Sequence, residues 1–239
     1  MKSNILVGIP TLNESGNIEF LVESLLSCPF EIDILVVDDG STDGSEAFLQ
    51  KLQNDGVVYL IDRGSRLGVG SAHKEMISYA CQNDYEFLLT MDADGTHSVE
   101  DLTKLLKFQS MFDLLIGSRF MKGGDLIGWP IYRQVTTWTA HILNRIATGR
   151  NIDCTSGFRL YSLKRRDFLP LTQNFANDYS FFYQTAYWSI QNNVDIQQVP
   201  VSLKNRSKGS SKMGVSNGWR LGLQMTKDSL KLLSIRIFL

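Results

Sequence analysis

Asp92 and Asp94 lie one residue apart, directly after the apolar segment 87–91. Such segments are typical of buried parallel strands, and ligands bind at the C-terminal ends of these strands in open α/β sheets. Because residues i and i+2 of a strand share a face, both carboxylates could bind one divalent cation. They would leave most of an octahedral shell to water and substrate phosphates, as Mg²⁺ or Mn²⁺ requires. We therefore predict a metal–diphosphate site, with a solvated Asp-Gly turn as the alternative.

Two earlier strand ends also carry polar side chains. Segment 5–9 leads into a loop that contains Pro10, Asn13 and Glu14, and segment 32–37 leads into Asp38 and Asp39. When strands and helices alternate, the C-terminal ends of the strands lie on the same edge of the sheet. We expect all three polar groups to face one crevice.

Short apolar segments alternate with helical periodicity along the chain. The pattern predicts helices at 18–26, 45–53, 71–81 and 99–108, with Ser15 as the N-cap of the first helix. It predicts strands at 5–9, 32–37, 57–61 and 112–116, and later a helix from 130 to 147 and a strand at 194–199. This rhythm indicates an α/β fold with a mostly parallel, mixed sheet flanked by helices.

Length and composition limit the functional classes. The 239 residues fit one large domain or two small ones, and a formal net charge of −1 gives no sign of nucleic-acid binding. The three cysteines have neither paired nor zinc-type spacing, which indicates reduced thiols in a cytoplasmic protein. The N-terminus leads directly into a strand rather than a signal peptide, and no apolar segment is long enough to span a membrane.

The glycine loop 63–70 does not match the common nucleotide-binding motifs. It lacks the Gly-Lys-Ser/Thr of a P-loop and the Gly-x-Gly-x-x-Gly spacing of a dinucleotide site, and it follows the third strand rather than the first. A dinucleotide-dependent dehydrogenase is therefore disfavoured.

A second anion site is predicted further along the chain. Arg119 follows one strand, and Arg133 and Thr137 lie at the beginning of the helix predicted from residue 130. Free N–H groups and the helix dipole favour anions at a helix N-terminus, and arginine binds phosphate in a bidentate manner. The alternative for each arginine is a surface salt bridge.

An ordered set of motifs resembles glycosyltransferase family 2. The set comprises Pro10-Thr-Leu-Asn-Glu14, Val36-Val-Asp-Asp-Gly-Ser-Thr-Asp-Gly44, Asp92-Ala-Asp94 and Thr155-Ser-Gly-Phe-Arg159. Within the family, the chain most resembles the polyprenol- and dolichol-phosphate mannosyltransferases. The resemblance implies a GT-A fold, a nucleotide-sugar donor, Mg²⁺ or Mn²⁺, inversion at the anomeric carbon and a polyprenyl-phosphate acceptor.

The resemblance also implies roles for individual residues. Those expected to bind the donor are Pro10, Asn13, Glu14, Asp39, Gly68, Asp92, Ala93, Asp94, Arg206 and Lys212. Those expected to bind the acceptor phosphate are Arg119, Arg133 and Thr137, and those expected to act in catalysis are Asp94, Arg119 and Arg133.

Three positions depart from the family pattern. Asp92 and Asp94 are the implied metal ligands, and Thr96 lies where relatives often supply a further ligand, frequently Gln. His73 replaces an aromatic residue, and it is more simply a helix-surface or nucleotide-adjacent residue than a catalytic base. Gln184 lies where relatives commonly have Glu, which bears on a sugar contact.

The C-terminal part divides into a basic loop and an amphipathic tail. The loop contains Arg206 and Lys212, and its Gly and Ser content suggests that it orders over phosphates; a disordered linker is the alternative. We expect a glycosyltransferase domain at 1–215 and a basic helix at 216–239 that lies on a membrane surface, packs on its own domain, or forms an oligomer contact.

The function that these inferences favour is transfer of mannose from GDP-mannose to a polyprenyl monophosphate by a cytoplasmic enzyme at the membrane face. Because that acceptor is already anionic, no general base is required. The alternatives are a transferase that uses a UDP-sugar or a saccharide acceptor, and a non-catalytic protein that binds nucleotide sugars or lipid phosphates. A sugar-1-phosphate nucleotidyltransferase is disfavoured, because its glycine-rich loop should follow the first strand.

Overall fold

A seven-stranded sheet forms the centre of the protein, whose computed structural model describes residues 2–129 and 131–204. In chain order the strands are β1 (Ile5–Thr11), β2 (Asp33–Asp38), β3 (Tyr59–Asp62), β4 (Phe87–Thr90), β5 (Leu114–Ser118), β6 (Asp125–Ile127), β7 (Arg159–Ser162), β8 (Ile196–Pro200) and β9 (Ser202–Lys204). The helices are α1 (Ser15–Leu26), α2 (Ser45–Asn54), α3 (Val69–Gln82), α4 (Val99–Leu106), α5 (Ile131–Thr148) and α6 (Ser180–Gln191), with a short 3₁₀ turn at Leu169–Thr172.

The strand order is β3-β2-β1-β4-β7-β5-β8, and β6 pairs with β9 in a separate two-stranded sheet. Strand β7 is antiparallel to both of its neighbours, β4 and β5, whereas the other pairs of the main sheet are parallel. The predicted α/β fold with a mostly parallel, mixed sheet is therefore confirmed.

Two apolar layers enclose the sheet, because alternate residues of each strand face opposite sides. On β1, Val7 and Ile9 pack in one layer and Leu6 in the other. The first layer contains buried residues of α1, α2 and α4, and the second contains those of α3 and α6. Helices therefore cover both faces, as the alternating pattern predicted.

Two local predictions were wrong. Ser15 is the first residue of α1 rather than its N-cap; its backbone N–H donates to Asp43 Oδ2 at 2.9 Å, so the cap comes from a neighbouring loop. Strand β4 ends at Thr90, two residues before Asp92. The strand alternation invoked for Asp92 and Asp94 therefore does not apply, and the turn after β4 positions both carboxylates.

The fully buried guanidinium of Arg159 joins the loop before β7 to α6. Its Nε donates to Ser156 O at 2.8 Å, and its Nη atoms donate to Thr185 Oγ1 at 2.8 Å and Phe182 O at 2.7 Å. Burial of a charge is tolerated only when hydrogen bonds replace its water. Arg159 therefore fixes the position of this loop relative to α6.

Cys28, Cys81 and Cys154 are unpaired thiols. No helix within residues 2–129 and 131–204 combines the length and hydropathy needed to cross a bilayer. Arg206, Lys212 and the tail at 216–239 lie outside the described residues, so their predicted roles and the domain boundary stay predictions.

The substitution Arg159→Lys should lower the free energy of unfolding by about 3 kcal/mol, because it leaves buried acceptors on α6 without a donor. Urea denaturation measures this loss. The matched control is Arg165→Lys, at an ion pair whose arginine side chain is 42% exposed, and it should change stability by less than about 0.5 kcal/mol. Equal losses in both variants would contradict the role assigned to Arg159.

Candidate active site

Three polar strand ends meet at one edge of the sheet. Strands β2, β1 and β4 are adjacent and parallel, so the residues that follow them lie side by side. The loop after β1 carries Asn13 and Glu14, β2 leads into Asp39, and β4 leads into Asp92 and Asp94. The prediction that these strand ends lie on one edge of the sheet is confirmed.

The carboxylate of Asp39 is buried against a cation that the sequence did not single out. Arg63, in the loop after β3, forms an ion pair with Asp39 through Nη2. The backbone N–H of Gly68 donates to the other oxygen, Asp39 Oδ2, at 3.0 Å. Asp39 is therefore held by partners that lie 24 and 29 residues away along the chain. No local sequence pattern indicates partners at such separations.

Gly68 and Gly70 allow a close backbone approach. Gly68 has φ +99°, and a Cβ there would lie 2.4 Å from Asn177 O. A Cβ on Gly70 would lie 2.6 Å from Ala176 O. The Gln184 side chain in turn accepts a hydrogen bond from the backbone N–H of Ala176 at 2.8 Å. Gln184 thus supports the segment on which the glycine loop packs.

The loops after β1 and β2 are tied together through Asn13. Its Oδ1 accepts from the N–H of Thr42 at 2.7 Å, and its N–H donates to Ser41 Oγ at 2.8 Å. Ser41 also donates to Asp38 at 2.5 Å. Pro10, at the end of β1, is half-buried. These bonds make the two loops one unit beside Asp39.

The two carboxylates after β4 differ in environment. Asp94 is buried, and its Oδ1 accepts from the N–H of Thr96 at 3.0 Å and from the Thr96 hydroxyl at 2.7 Å. Asp92 keeps 42% of its side chain exposed. Ala93, between them, packs in the first apolar layer. Thr96 thus orients Asp94.

His97 is a site residue that sequence reasoning missed. Its Nε2 lies 3.5 Å from Asp92 Oδ2, and only 4% of its side chain is exposed. The ring stacks on Phe158, with centroids 4.5 Å apart and planes 23° apart. The only sequence signal was its position three residues after Asp94, and a histidine at this spacing does not by itself indicate a functional site.

On the other side of the site, Arg119 is held by two residues of the loop before β7. Its Nε lies 3.4 Å from Asp153 Oδ2, and its Nη2 donates to Thr155 Oγ1. Asp153 is fully buried, and its Oδ1 accepts from the N–H and the hydroxyl of Thr155 at 3.1 and 3.0 Å. Thr137 is half-buried on α5, and the side chain of Arg133 is outside what the structure describes.

The same loop reaches the carboxylates after β4. A Cβ on Gly157 would lie 3.7 Å from Asp92 Oδ1, and Thr90 Oγ1 donates to Gly157 O at 2.7 Å. The loop at 153–158 therefore contacts Arg119 at one end and lies beside Asp92 at the other.

His73 is fully buried and lies edge-on against Phe182, with ring centroids 4.8 Å apart. Neither ring nitrogen has a hydrogen-bond partner within the described part of the chain. Burial lowers the pKa of His73 from 6.5 to about 3, so the ring is neutral. His73 therefore lies in the core rather than on the helix surface predicted for it, and its burial argues against a catalytic base.

Known proteins resemble this chain over most of its length. Residues 6–169 match the model of the family described as "Glycosyl transferase family 2". The polyprenol monophosphomannose synthase of Mycolicibacterium smegmatis is 36% identical over 217 residues, 89% of this chain and 82% of that protein. The undecaprenyl-phosphate mannosyltransferase of Micrococcus luteus is 32% identical over 236 residues, 95% of this chain and 97% of that protein.

Solved structures share the fold at lower identity. A Mycobacterium tuberculosis glucosyl-3-phosphoglycerate synthase in complex with Mn²⁺, UDP and glucosyl-3-phosphoglycerate aligns with a TM-score of 0.66 and 19% identity, covering 96% of this chain and 78% of that one. S. aureus TarS in complex with UDP-GlcNAc aligns with a TM-score of 0.57 and 21% identity, covering 98% and 70%. These two similarities concern the fold alone.

The chain belongs to glycosyltransferase family 2. It is a glycosyltransferase with a GT-A fold, which sets aside the alternative of a non-catalytic binding protein.

The substitution His73→Met should reduce the loss of stability on acidification. Because the folded pKa of His73 is about 3 and the ordinary value is 6.5, its contribution is present above 6.5 and is lost as the pH falls towards 3. The wild type should therefore lose up to about 1.4 kcal/mol per pH unit more than the variant in this window. Urea denaturation across the window measures the difference, and parallel curves would contradict a neutral, buried His73.

Proposed function

We propose that this glycosyltransferase moves mannose from GDP-mannose to a polyprenyl monophosphate, with inversion at the anomeric carbon. The names of the two relatives at 36% and 32% identity support this acceptor and sugar. The observation that carries the proposal is the loop at 153–158, which lies beside a carboxylate after β4 and binds a largely buried arginine after β5. One loop thus connects two sites. One site is suited to a diphosphate–metal complex, and the other is suited to a phosphate.

The donor's nucleoside is proposed to lie along β1 and β2. Asp39, held by Arg63 and Gly68, is proposed to accept hydrogen bonds from the base or ribose. Pro10, with Asn13 and Glu14 in the loop after β1, would line the same pocket. Since Arg63 already balances its charge, Asp39 can remain buried without a bound nucleotide.

The carboxylates after β4 fit a divalent cation shared with the donor. Carboxylate oxygens are hard ligands, Asp94 is oriented by Thr96, and Asp92 is half exposed beside His97. No group of three or more His, Cys, Asp or Glu side chains suited to a metal occurs within the described ranges. The remaining ligands would therefore come from the donor diphosphate and water. A bound Mg²⁺ or Mn²⁺ would neutralise charge on the departing diphosphate.

Arg119 is proposed to bind the acceptor phosphate. Its guanidinium is fixed by Asp153 and Thr155, and 11% of the side chain is exposed, so the group is both oriented and accessible at one edge. We propose that Thr137 and Arg133 on α5 add further contacts to the same phosphate, and that Arg206 and Lys212 contact the donor phosphates.

The reaction is proposed to be a single displacement. A phosphate oxygen of the acceptor attacks C1 of mannose, the bond between C1 and the diphosphate oxygen breaks, and GDP leaves with the bonding electrons. Because the phosphate is already anionic, no proton has to be removed in the attack. Catalysis then depends on alignment of the two substrates and on stabilisation of the leaving group. Attack opposite to the leaving group inverts C1.

One other donor has an observation in its favour. Two of the solved structures of similar fold contain UDP or UDP-GlcNAc. A UDP-sugar is therefore the second candidate donor, and the identity of the nucleotide is the point to test.

Nucleotide preference can be measured by thermal unfolding in the presence of Mn²⁺. At a concentration of about 100 times its Kd, GDP should stabilise the fold by about 2.7 kcal/mol, which raises Tm by about 5–10 °C for a domain of this size. UDP at the same concentration should raise Tm by much less, and chelation of the metal should reduce the effect of GDP. A larger shift with UDP would instead support the UDP-sugar alternative.

The substitution Arg119→Lys should raise the KM for a polyprenyl-phosphate acceptor by about 10- to 100-fold, because Lys retains charge but loses the bidentate hydrogen bonds. The KM for the donor should change little. Steady-state kinetics with each substrate varied in turn separate the two effects, and Arg165→Lys serves as the matched control at an exposed ion pair. An unchanged acceptor KM would remove Arg119 from the acceptor site.

A further inference from the structure

His141 of α5 is a buried polar residue to which the proposed function gives no role. Its imidazole ring stacks on the ring of Phe120, with centroids 3.9 Å apart and planes 17° apart. Its Nε2 lies 3.0 Å from Asn151 Oδ1. Burial lowers the pKa of His141, so the ring is neutral at neutral pH, and the N–H that faces the amide oxygen is on Nε2. The side chain therefore makes two specific contacts with other parts of the protein.

The contact with Phe120 leads directly to Arg119. These two residues are adjacent in the chain after β5, and the guanidinium carbon of Arg119 lies 5.2 Å from the centroid of the Phe120 ring. Trp138 of α5 packs against the same ring, with centroids 4.9 Å apart and planes 67° apart. The Phe120 ring is therefore shared between α5 and the guanidinium that we propose binds the acceptor phosphate.

The contact with Asn151 reaches Arg119 by a second route. Asn151 O accepts a hydrogen bond from Gln198 Nε2 at 2.7 Å, and Gln198 Oε1 accepts one from the backbone N–H of Asp153 at 2.8 Å. Asp153 Oδ2 in turn lies 3.4 Å from Arg119 Nε. The two routes close a ring of contacts. We call it the His141 network: His141, Asn151, Gln198, Asp153, Arg119 and Phe120.

The network connects the two elements that are proposed to hold the acceptor phosphate. Thr137 lies one turn before His141 on the same side of α5. The proposed function assigns Thr137 and Arg119 to one phosphate, although they belong to different elements. A binding site of this kind works only when its groups are held within about 0.5 Å of the required geometry by supporting contacts. The His141 network supplies such support between α5 and Arg119.

The imidazole costs stability that an apolar side chain would not cost. His141 Nδ1 is buried and has no hydrogen-bond partner among residues 2–129 and 131–204. A buried polar atom without a partner is destabilising, whereas a leucine fills a buried helix position without this cost. Helix packing alone therefore does not account for a histidine at position 141, and support of the neighbouring site does.

We propose that His141 is a positioning residue, which holds α5 and the Arg119 guanidinium at the separation that the acceptor phosphate requires. His141 does not touch the substrate, and it acts through Arg119. The inference rests on the proposed acceptor, a polyprenyl monophosphate. It does not depend on which nucleotide or sugar the donor carries.

Three substitutions separate the two contacts of His141. His141→Phe keeps the aromatic stack and loses the bond to Asn151, His141→Gln keeps an N–H donor for Asn151 and loses the stack, and His141→Leu loses both. Calorimetric titration of the full chain with farnesyl phosphate, without a donor, measures acceptor binding. The Kd should rise about 10-fold in His141→Leu and about 3-fold in each of the other two variants, since one hydrogen bond or one ring contact is worth about 1 kcal/mol.

Kinetics separate positioning of the acceptor site from a general loss of structure. In a transfer assay, His141→Leu should raise the KM for farnesyl phosphate by about 10-fold and change the KM for the nucleotide sugar by less than about twofold. The matched control is Tyr85→Phe, which removes a bond of 2.8 Å to Asp33 near the N-terminal ends of β2 and β4, away from the site. It should leave both KM values unchanged. Equal rises in the two KM values of His141→Leu would overturn the proposal.

A double-mutant cycle tests whether His141 acts through Arg119. His141→Leu should raise the Kd for farnesyl phosphate about 10-fold in the wild-type background and less than about twofold in the Arg119→Lys background, because residues that act together are not additive. Additive effects, or a wild-type Kd in His141→Leu, would overturn the proposal. If the wild type does not bind farnesyl phosphate, the proposed acceptor and this inference both fail. If it binds farnesyl phosphate and transfers no mannose to it, the proposed function fails, and the Kd values still decide the role of His141.

Discussion

The organisation of the site depends on the buried guanidinium of Arg159. Its bonds to Ser156 O, Phe182 O and Thr185 Oγ1 hold the loop before β7 against α6. That loop places Gly157 beside Asp92 and Thr155 beside Arg119. Because a buried arginine requires all of these acceptors at once, the loop has little freedom to move. The distance between the two proposed substrate sites is therefore fixed by the core rather than by the substrates.

Two carboxylates of the site are paired with arginines before any substrate binds. Asp39 is paired with Arg63, and Asp153 is paired with Arg119. Pairing lowers the cost of keeping these side chains largely out of water, and it also fixes their orientation. Such preorganisation suits the proposed reaction, which uses no general base and depends on alignment of the substrates and stabilisation of the leaving group.

The sequence predicted the parts of this arrangement that depend on local pattern. Alternating strands and helices indicated the α/β fold and brought the residues after β1, β2 and β4 to one edge. It did not reveal Arg63 or His97, whose partners are set by tertiary packing rather than by spacing. Asp92 and Asp94 lie at the predicted edge of the sheet. A turn rather than strand alternation places them there, because β4 ends at Thr90. The exposed apolar side of α5 was likewise not predicted, since periodicity shows that a helix has an apolar side but not whether that side faces the protein or the solvent.

If the proposed function is correct, sugar transfer requires the carboxylates after β4. The direct measurement is formation of polyprenyl phosphate mannose from GDP-mannose and a short-chain polyprenyl phosphate with saturating Mn²⁺, in the wild type and in Asp94→Asn. We predict that the wild type forms a product with inverted anomeric configuration and that Asp94→Asn loses at least about 100-fold in rate, because leaving-group stabilisation of this kind is worth several kcal/mol. Full activity of Asp94→Asn at saturating metal would contradict the account.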